Sequence, residues 1–377
     1  MISAGEGAGN LSVPISRRLT TEQAVTLLPE EAVEDVRRVN ASTKGGIPYE
    51  FLALGDGEIL AARKPSFRQT KGRARVGVLD LEGTFSPFPE ASGHPTWPSG
   101  ALAGDWTREH AVWAETASPE KNAGRWAVYS ADRRKGTTRI VASGRGMAGA
   151  EHPVPPGGIR ARIAGRYVYW PVRTAESVVD GVRSTVQIER RLLTGRGDVE
   201  VVARAAKLPA VWDEDLFFVR SADVSPGFRG GGYEIRRWHA GREELLVSGP
   251  LAEGSLVTAL AAGADRVSWI VSGGDTGRYG VLYSLDLGSR TAVEIGLTSD
   301  ASTSMLGQSG ANLLWGSGTG WGDAGQYVWV PGGGVIYRVG EQEGFSVILG
   351  SSDGAWVMWG VLDTRGRMSF RGGRWHG

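Results

Sequence analysis

Cysteine is missing from this sequence of 377 residues. The chain therefore has no disulfide, no thiolate zinc site and no cysteine nucleophile, although a protein without disulfides is compatible with either side of a membrane. An excess of charge is missing too, since 42 Lys and Arg against 41 Asp and Glu give a net charge of +1. A typical nucleic-acid-binding protein has a clear basic excess, so nucleic acid is not an expected partner.

Long apolar runs are also missing. No uninterrupted stretch reaches the roughly 20 residues that a membrane-spanning helix needs, and the best candidate, GSLVTALAAGADRVSWIVSGG, is broken by Asp265 and Arg266. The N-terminal MISAGEGAGNLS lacks the basic and apolar regions of a secretory signal and resembles a linker. We expect no transmembrane segment in this chain, and we leave open a signal or anchor removed upstream.

Glycine and tryptophan are abundant instead, with 57 Gly and 14 Trp. The glycines follow no Gly-X-Y period and form no Gly/Ser tract, which excludes collagen-like and low-complexity classes. Glycines scattered between apolar runs indicate many tight turns, and large aromatic residues suit sheet cores. The composition predicts an all-β protein with a substantial core.

A repeated outline runs through the chain. Residues 265–295 consist of an apolar run with Trp, a polar loop, a second apolar run, a turn and a third run. The same outline recurs at 57–88, 108–142, 165–203, 214–249, 311–339 and, truncated, at 354–377. Each copy follows another short apolar run, so each unit has four strands, which we name a to d.

Aromatic residues recur at fixed places in these units. Strand b ends in Trp113, Trp170, Phe218, Trp269, Trp315 or Trp359, and strand c carries Tyr129, Tyr233, Tyr283, Trp329 or Phe370. A four-stranded antiparallel sheet with two apolar faces cannot bury both alone, whereas copies arranged around an axis bury them against each other. Seven nearly equally spaced unit starts, near residues 48, 99, 158, 208, 255, 302 and 344, predict a seven-bladed β-propeller, with six or eight blades as alternatives.

The last unit ends at GGRWHG without a strand d, and an unclosed ring would leave an unpaired edge. We expect the N-terminal LSVPISRRL to supply the missing strand. The following TTEQAVTLLPEEAVEDVRRVN could form a short helix, with Thr20 or Thr21 as the N-cap and Pro29 as an interruption. This divides the chain into residues 1–45, with the linker, closing strand and helix, and residues 46–377, the propeller.

These units resemble the TolB-like, WD40-like bacterial propeller repeats. In that family an apolar strand b leads to a strand c that ends in Asp and a turn with Gly, which Asp80, Asp132 and Asp286 match here. The Gly-His and Trp-Asp pairs of true WD40 repeats are absent. The resemblance covers about residues 46–377 and implies the fold and partner binding at one mouth of the ring, without transferable catalytic residues. It also implies an extracytoplasmic place in the bacterial envelope or outside the cell.

Loop lengths distinguish the two ends of the propeller. The a–b and c–d turns are short, whereas the b–c loops, among them RKPSFRQTKGRAR and VRTAESVVDGVRST, and two d–a connections are long. Binding residues concentrate on long loops of rigid scaffolds, and aromatic residues beside Arg are typical of interface hot spots. The candidate partner-binding residues are Arg63, Lys64, Arg68, Lys71, Trp97, Phe228, Arg229 and Trp321. They could face an anionic partner, or form only a solvated basic loop.

Catalytic and metal-binding patterns are few. Carboxylates near strand ends or on the loop-rich face are Asp105, Glu115, Asp215, Asp275 and Asp323, a number that chance explains in a chain with 41 acidic residues. The five histidines, at 94, 110, 152, 239 and 376, form no metal-binding motif. We expect no metal and no cofactor.

The sequence thus predicts a non-catalytic propeller that binds a protein or a polysaccharide through its long-loop face. The alternative is a carbohydrate-active enzyme, a glycoside hydrolase or lyase, that uses carboxylates at the same mouth. A structural domain of a larger protein is the third interpretation.

Overall fold

A computed structural model gives the structure of this protein. It describes residues 11–21, 25–27, 32–39, 49–55, 57–63, 74–93, 100–116, 125–144, 155, 158–179, 182–221, 231–273, 280–297, 305–317, 325–331, 334–339, 348–351, 354–362 and 368–375. Among these residues no helix has the length and apolar content needed to cross a membrane.

Three strands come first in the chain and seven groups of strands follow. The first three are β1 (Ile15–Thr20), β2 (Val25–Leu27) and β3 (Val33–Val39). Sheet I contains β4 (Tyr49–Leu54), β5 (Glu58–Arg63), β6 (Arg75–Asp80) and β7 (Phe85–Pro87). Sheet II contains β8 (Gly100–Trp106), β9 (His110–Thr116), β10 (Trp126–Asp132) and β11 (Thr137–Ser143). Sheet III contains β12 (Arg162–Ala164), β13 (Tyr167–Val179), β14 (Val182–Leu192) and β15 (Glu200–Arg204).

The second half of the chain continues the pattern. Sheet IV contains β16 (Ala206–Trp212), β17 (Asp215–Ser221), β18 (Gly231–His239) and β19 (Arg242–Leu251). Sheet V contains β20 (Ser255–Ala262), β21 (Arg266–Gly273), β22 (Val281–Asp286) and β23 (Ala292–Gly296). Sheet VI contains β24 (Met305–Ser309), β25 (Asn312–Ser317), β26 (Gly325–Trp329) and β27 (Ile336–Arg338). Sheet VII contains β28 (Ile348–Gly350), β29 (Trp356–Leu362) and β30 (Met368–Trp375), and β3 is its fourth strand.

The seven sheets define a seven-bladed β-propeller whose last blade is completed by an N-terminal strand, which confirms the predicted fold class. The chain divides into two compact units. One contains sheets IV, V and VI with β1 and β2. The other contains sheets I, II and most of sheets III and VII, with β3.

Within each unit the core lies between neighbouring sheets. The aromatic residues of strands b and c fill it: Trp170, Trp269, Trp315 and Phe218 are fully buried, as is Tyr129. In one unit, apolar clusters join sheet I to sheet II and sheet II to sheet III. In the other, similar clusters join sheet IV to sheet V and sheet V to sheet VI. The aromatic series is therefore core, as the repeat predicted.

The recurring aspartates at the end of strand c stabilise the c–d turns. The Oδ1 atom of Asp80 accepts a hydrogen bond from the Thr84 amide at 2.6 Å, and that of Asp132 accepts one from the Lys135 amide at 3.0 Å. Asp286 accepts from the amides of Gly288 and Ser289. Hydrogen bonds from these amides lower the pKa of Asp132 and of Asp286. The recurring aspartate therefore acts on the turn.

The strand that completes sheet VII is β3, and the prediction for LSVPISRRL was wrong. β3 pairs antiparallel with β30, from Val33 opposite Trp375 to Val39 opposite Phe370. Much of LSVPISRRL instead forms β1, which adds a fifth, parallel strand to sheet V beside β23. The outermost strand of a blade has an exposed edge and tolerates charge, so the polar VEDVRRV fits there with only Val33 and Val39 buried.

Two local predictions also differ from the structure. Of the helix expected over TTEQAVTLLPEEAVEDVRRVN, the described residue Thr21 is α-helical, but β2 and β3 occupy most of the rest that is described, because pairing with β27 and β30 outweighs local propensity. The long b–c loop expected at VRTAESVVDGVRST is largely strand, since β13 continues to Val179 and β14 starts at Val182. β-Branched residues at frequent positions there favour extended structure.

The inner strands of sheets I and II approach so closely that one glycine of β8 has no room for a side chain. A Cβ at Gly104 would lie 2.6 Å from Leu60 Cδ2 and 2.7 Å from the Val112 carbonyl, whereas a Cβ at Gly100 would meet nothing within 4 Å. We expect Gly104→Ala to lower the free energy of unfolding by about 1–3 kcal/mol through overpacking. Gly100→Ala on the same strand should leave it nearly unchanged, and equal losses in urea titrations of both variants would contradict this close approach.

Burial along β3 should decide how much each of its side chains stabilises sheet VII. Val39 is fully buried and Val36 is 45% exposed. Val39→Ala is expected to cost about 2 kcal/mol of unfolding free energy, since two methyl groups leave a closed core. Val36→Ala is the matched control and should change it by less than about 0.5 kcal/mol. If chemical denaturation gives the two variants the same stability, β3 does not complete the sheet as described.

Candidate functional site

Few of the predicted binding residues fall in the described part of the chain. Arg63 is the last residue of β5 and is exposed, and it lies opposite Arg75, the first residue of β6. The other predicted residues lie outside the described residues: Lys64, Arg68, Lys71, Trp97, Phe228, Arg229 and Trp321. Their binding role stays a prediction. Two arginines therefore stand at the base of the first b–c loop.

A groove of about 500 Å³ lies between sheets I and II, within one compact unit. We call it the I–II groove. Its lining residues are Ala74, Arg75, Val76, Pro87, Phe88, Pro89, Glu90, Ala91, Trp113, Glu115, Tyr129 and Thr138. Arg75 at the start of strand c and Glu115 near the end of strand b bring the groove to the b–c ends of both sheets. Ala74 and Arg75, the last two residues of the predicted basic loop, are part of its lining.

The groove exists because the outer strand of sheet I is short. β7 has 3 residues, whereas β11, the outer strand of sheet II, has 7. Pro87 ends β7, and Pro89 follows after Phe88, whose amide still donates to the Val76 carbonyl at 3.0 Å. The chain leaves the sheet after Phe88, which opens the space beside Trp113.

A ladder of three aromatic rings forms one wall of the groove. Phe88 stacks on Trp113 with ring centroids 5.6 Å apart and an angle of 12° between the planes. Trp113 stacks on Tyr129 at 5.3 Å and 14°. Trp113 and Tyr129 are buried, and Phe88 is half-buried at the outer end of the ladder. Both faces of the Trp113 ring are thus covered by protein.

Polar groups lie both in the buried interior of the groove and at its exposed rim. Glu115 is buried, and its Oε1 accepts a hydrogen bond from Trp113 Nε1 at 2.9 Å. The Thr138 hydroxyl oxygen is buried and has no hydrogen-bond partner among the described residues. Arg75 and Glu90 are exposed at the rim. A ligand in the groove would find an apolar wall, a hydroxyl group and charges of both signs.

Sequence reasoning found part of this site. Glu115 was a candidate carboxylate and Arg75 belongs to the predicted basic loop, but Phe88, Glu90 and Thr138 were not predicted. The signal that could have revealed them is PFPE at 87–90, a proline-rich segment at the end of a short strand d. Which neighbouring sheet faces that opening depends on the arrangement of the blades, and local sequence does not contain it.

The remaining acidic candidates do not converge on the groove. Asp215 begins β17 in sheet IV, where it contacts His239 through a hydrogen bond and Arg237 at 3.5 Å. Asp105 Oδ2 accepts from the Ile163 amide at 2.8 Å, so it joins sheet II to sheet III. Asp275 and Asp323 lie outside the described residues, as do His94, His152 and His376. Within the described ranges, no three His, Asp or Glu side chains are grouped to hold a metal ion.

No protein-family model matches the chain, and no curated protein matches it. Solved structures do. The β-propeller domain of the Trilobed protease from Pyrococcus furiosus has a TM-score of 0.54 at 12% identity, over 87% of this chain and 95% of that one. An oligogalacturonate lyase in complex with manganese has a TM-score of 0.53 at 12% identity, over 98% of both chains.

A prolyl endopeptidase studied for catalysis and specificity has a TM-score of 0.55 at 13% identity, over 87% of this chain and 49% of that one. This chain therefore spans about half the length of that peptidase. At such identities the likenesses show the fold alone, a propeller that occurs both within peptidases and as a lyase.

The burial of Asp105 predicts how the free energy of unfolding changes with pH. Burial raises its pKa above the ordinary 3.8, although Arg162 and two backbone amides oppose the shift. A carboxyl group with a raised pKa in the folded state loses stabilisation as the pH rises from its unfolded pKa through its folded pKa. The unfolding free energy of the wild type minus that of Asp105→Asn should therefore fall as the pH rises above about 3.8, in denaturant titrations at several pH values. If the unfolding free energies of the two proteins changed in parallel with pH, the raised pKa of Asp105 would be refuted.

Proposed function

We propose that this propeller is a non-catalytic binding module and that a segment of a partner protein binds in the I–II groove. The observation that carries the proposal is the open groove of about 500 Å³ between two sheets whose other contacts are close-packed. Pockets of roughly 300–1,000 Å³ with apolar walls and a few polar groups are typical ligand sites.

The aromatic ladder favours a protein segment over a sugar. A sugar ring binds aromatic side chains by stacking on a free ring face, and Trp113 is only 3% exposed, with Phe88 and Tyr129 stacked on it. A polypeptide side chain needs only the edge of the ladder and the space beside it. Its main-chain amides and carbonyls match the carboxylates of Glu90 and Glu115, the Arg75 guanidinium and the Thr138 hydroxyl that line the groove.

Strand addition to sheet I is disfavoured as the binding mode. The amide of Phe88 points inward to Val76, so the neighbouring position 87 faces outward, where proline has no amide hydrogen to donate. Recognition should then rest on side chains within the groove. We further propose that Arg63, Lys64, Arg68, Lys71 and Trp97, which lie near it in sequence, extend the binding surface, and that Phe228, Arg229 and Trp321 belong to the same loop-rich face.

The second candidate function is a carbohydrate-active hydrolase or lyase. Two carboxylates, Glu90 and Glu115, line one groove, and such enzymes act through carboxylate pairs. A relation to TolB-like propellers and a place in the bacterial envelope or outside the cell also belong to the proposal, on the strength of the repeat signature. If the purified protein shortened a polysaccharide, the enzyme function would be favoured over the binding function.

The test uses peptides selected from a random phage library on the immobilised full chain. The Kd of each selected peptide would be measured by fluorescence anisotropy for the wild type, Arg75→Glu and Arg139→Glu. Arg75→Glu reverses a charge at the rim of the groove and should weaken binding about tenfold or more. Arg139 is also exposed, on β11, but does not line the groove, so its variant should bind as the wild type does.

Three outcomes would overturn the proposal. The selected peptides could bind both variants equally well, no peptide could be enriched at all, or polysaccharides could be cleaved in the parallel incubation. Thr138→Met, which fills the groove without a change of charge, gives a second measure and should also abolish peptide binding.

A further inference from the structure

Two arginines with little compensating charge stand together at the start of sheet III. Arg160 lies two residues before Arg162, the first residue of β12. Ile159, Ala161 and Ile163 alternate with them and pack into the apolar cluster shared with sheet II. Arg160 and Arg162 are both half-buried, and their like charges repel each other.

The Arg162 guanidinium donates hydrogen bonds to uncharged acceptors. Its Nη1 donates to the Gly104 carbonyl at 2.8 Å and to the Ala161 carbonyl at 3.3 Å. The neighbouring carboxylate of Asp105 accepts amide hydrogens at both oxygens, from Trp106 and from Ile163. Asp105 attracts Arg162 electrostatically without forming an ion pair within 4 Å. The cluster of two guanidinium groups and one carboxylate therefore has a net positive charge.

Arg160 differs from comparable arginines of this protein. Arg190, Arg220 and Arg266 also have little exposed side-chain surface. Each forms an ion pair with a carboxylate, at 2.7 Å with Glu200, 2.8 Å with Glu243 and 2.9 Å with Asp286, respectively. No described residue forms an ion pair or a side-chain hydrogen bond with Arg160. Burial, together with the neighbouring charge of Arg162, lowers the pKa of Arg160 to about 10. A cation removed from water without a partner is costly.

We propose that Arg160, supported by Arg162, binds an oxyanion, a carboxylate or a phosphoryl group, at the start of sheet III. The planar guanidinium group has donors spaced to hold two oxygens of such a group at once. The site precedes strand a, so it lies at the same end of its sheet as the d–a connection. The site shares no residue with the I–II groove. The proposal of an anion site is therefore independent of the proposed function.

The experiment measures binding of inorganic phosphate and of acetate to the full chain by isothermal titration, at an ionic strength kept constant with chloride. Wild-type protein should bind at least one of the two more tightly than chloride. Preference for phosphate would indicate a phosphoryl ligand, and preference for acetate a carboxylate ligand. Arg160→Met, which keeps the apolar stem, should weaken that binding about tenfold, the effect of losing a charge-assisted hydrogen-bonding group.

Arg139→Met is the matched control, an exposed arginine of β11 without a described partner, and its binding should stay within about twofold of the wild type. In chloride alone, Arg160→Met should unfold at no lower temperature than the wild type, because the lost charge had no partner. If Arg160→Met does not fold, Arg160→Lys serves instead and should bind several-fold more weakly, since lysine lacks the paired donors. Unchanged affinity in the Arg160 variants, or a wild type that binds neither anion beyond chloride, would overturn the proposal.

Discussion

Everything in this structure depends on one constraint: each sheet has two apolar faces, and a neighbouring sheet must cover each of them. The tryptophans of strand b meet this constraint. Trp113 and Trp269 each stack on a tyrosine of strand c in their own sheet and pack into a cluster shared with a neighbouring sheet. Glycines such as Gly104 let the inner strands come close enough for this packing. The stability of any one blade is therefore inseparable from that of its neighbours.

The same constraint explains where a ligand can enter. Space remains beside sheet II where the outer strand of sheet I stops at Pro87. The packing cost of the opening is limited, since Phe88 still covers the face of Trp113. A buried carboxylate, Glu115, and a buried hydroxyl group, Thr138, then remain at a place that would otherwise be apolar core.

Much of the fold could be predicted from the sequence, because the repeat encodes it locally. A strand-b tryptophan, a strand-c aromatic residue and a turn aspartate recur in register, and the structure gives each the expected neighbourhood, as Trp269, Tyr283 and Asp286 illustrate. The closing strand could not be chosen this way. VEDVRRV is as polar as a surface helix, and only its pairing with β30, at the far end of the chain, makes it a strand.

The candidate site was predictable only in part, for the same reason. Arg63 and Arg75 belong to one blade, so a basic loop and its strands identify them. The I–II groove depends on aromatic rings that the neighbouring sheet II supplies. The Arg160–Arg162 pair is notable because no described segment supplies a carboxylate to Arg160. Such complementarity between segments distant in sequence has no local pattern.

The placement of β3 has a consequence for synthesis of the protein. β3 leaves the ribosome before any of the blades, yet its partner β30 is translated after all the other described strands. Until then β3 has no ladder to join, and the exposed edge of an incomplete sheet is prone to wrong pairing. Pairing across nearly the whole chain also closes a large loop, which is slow. Completion of the seventh blade should therefore wait for the translation of β30, and a nascent chain stalled before β30 should expose β3 to chaperones or proteases.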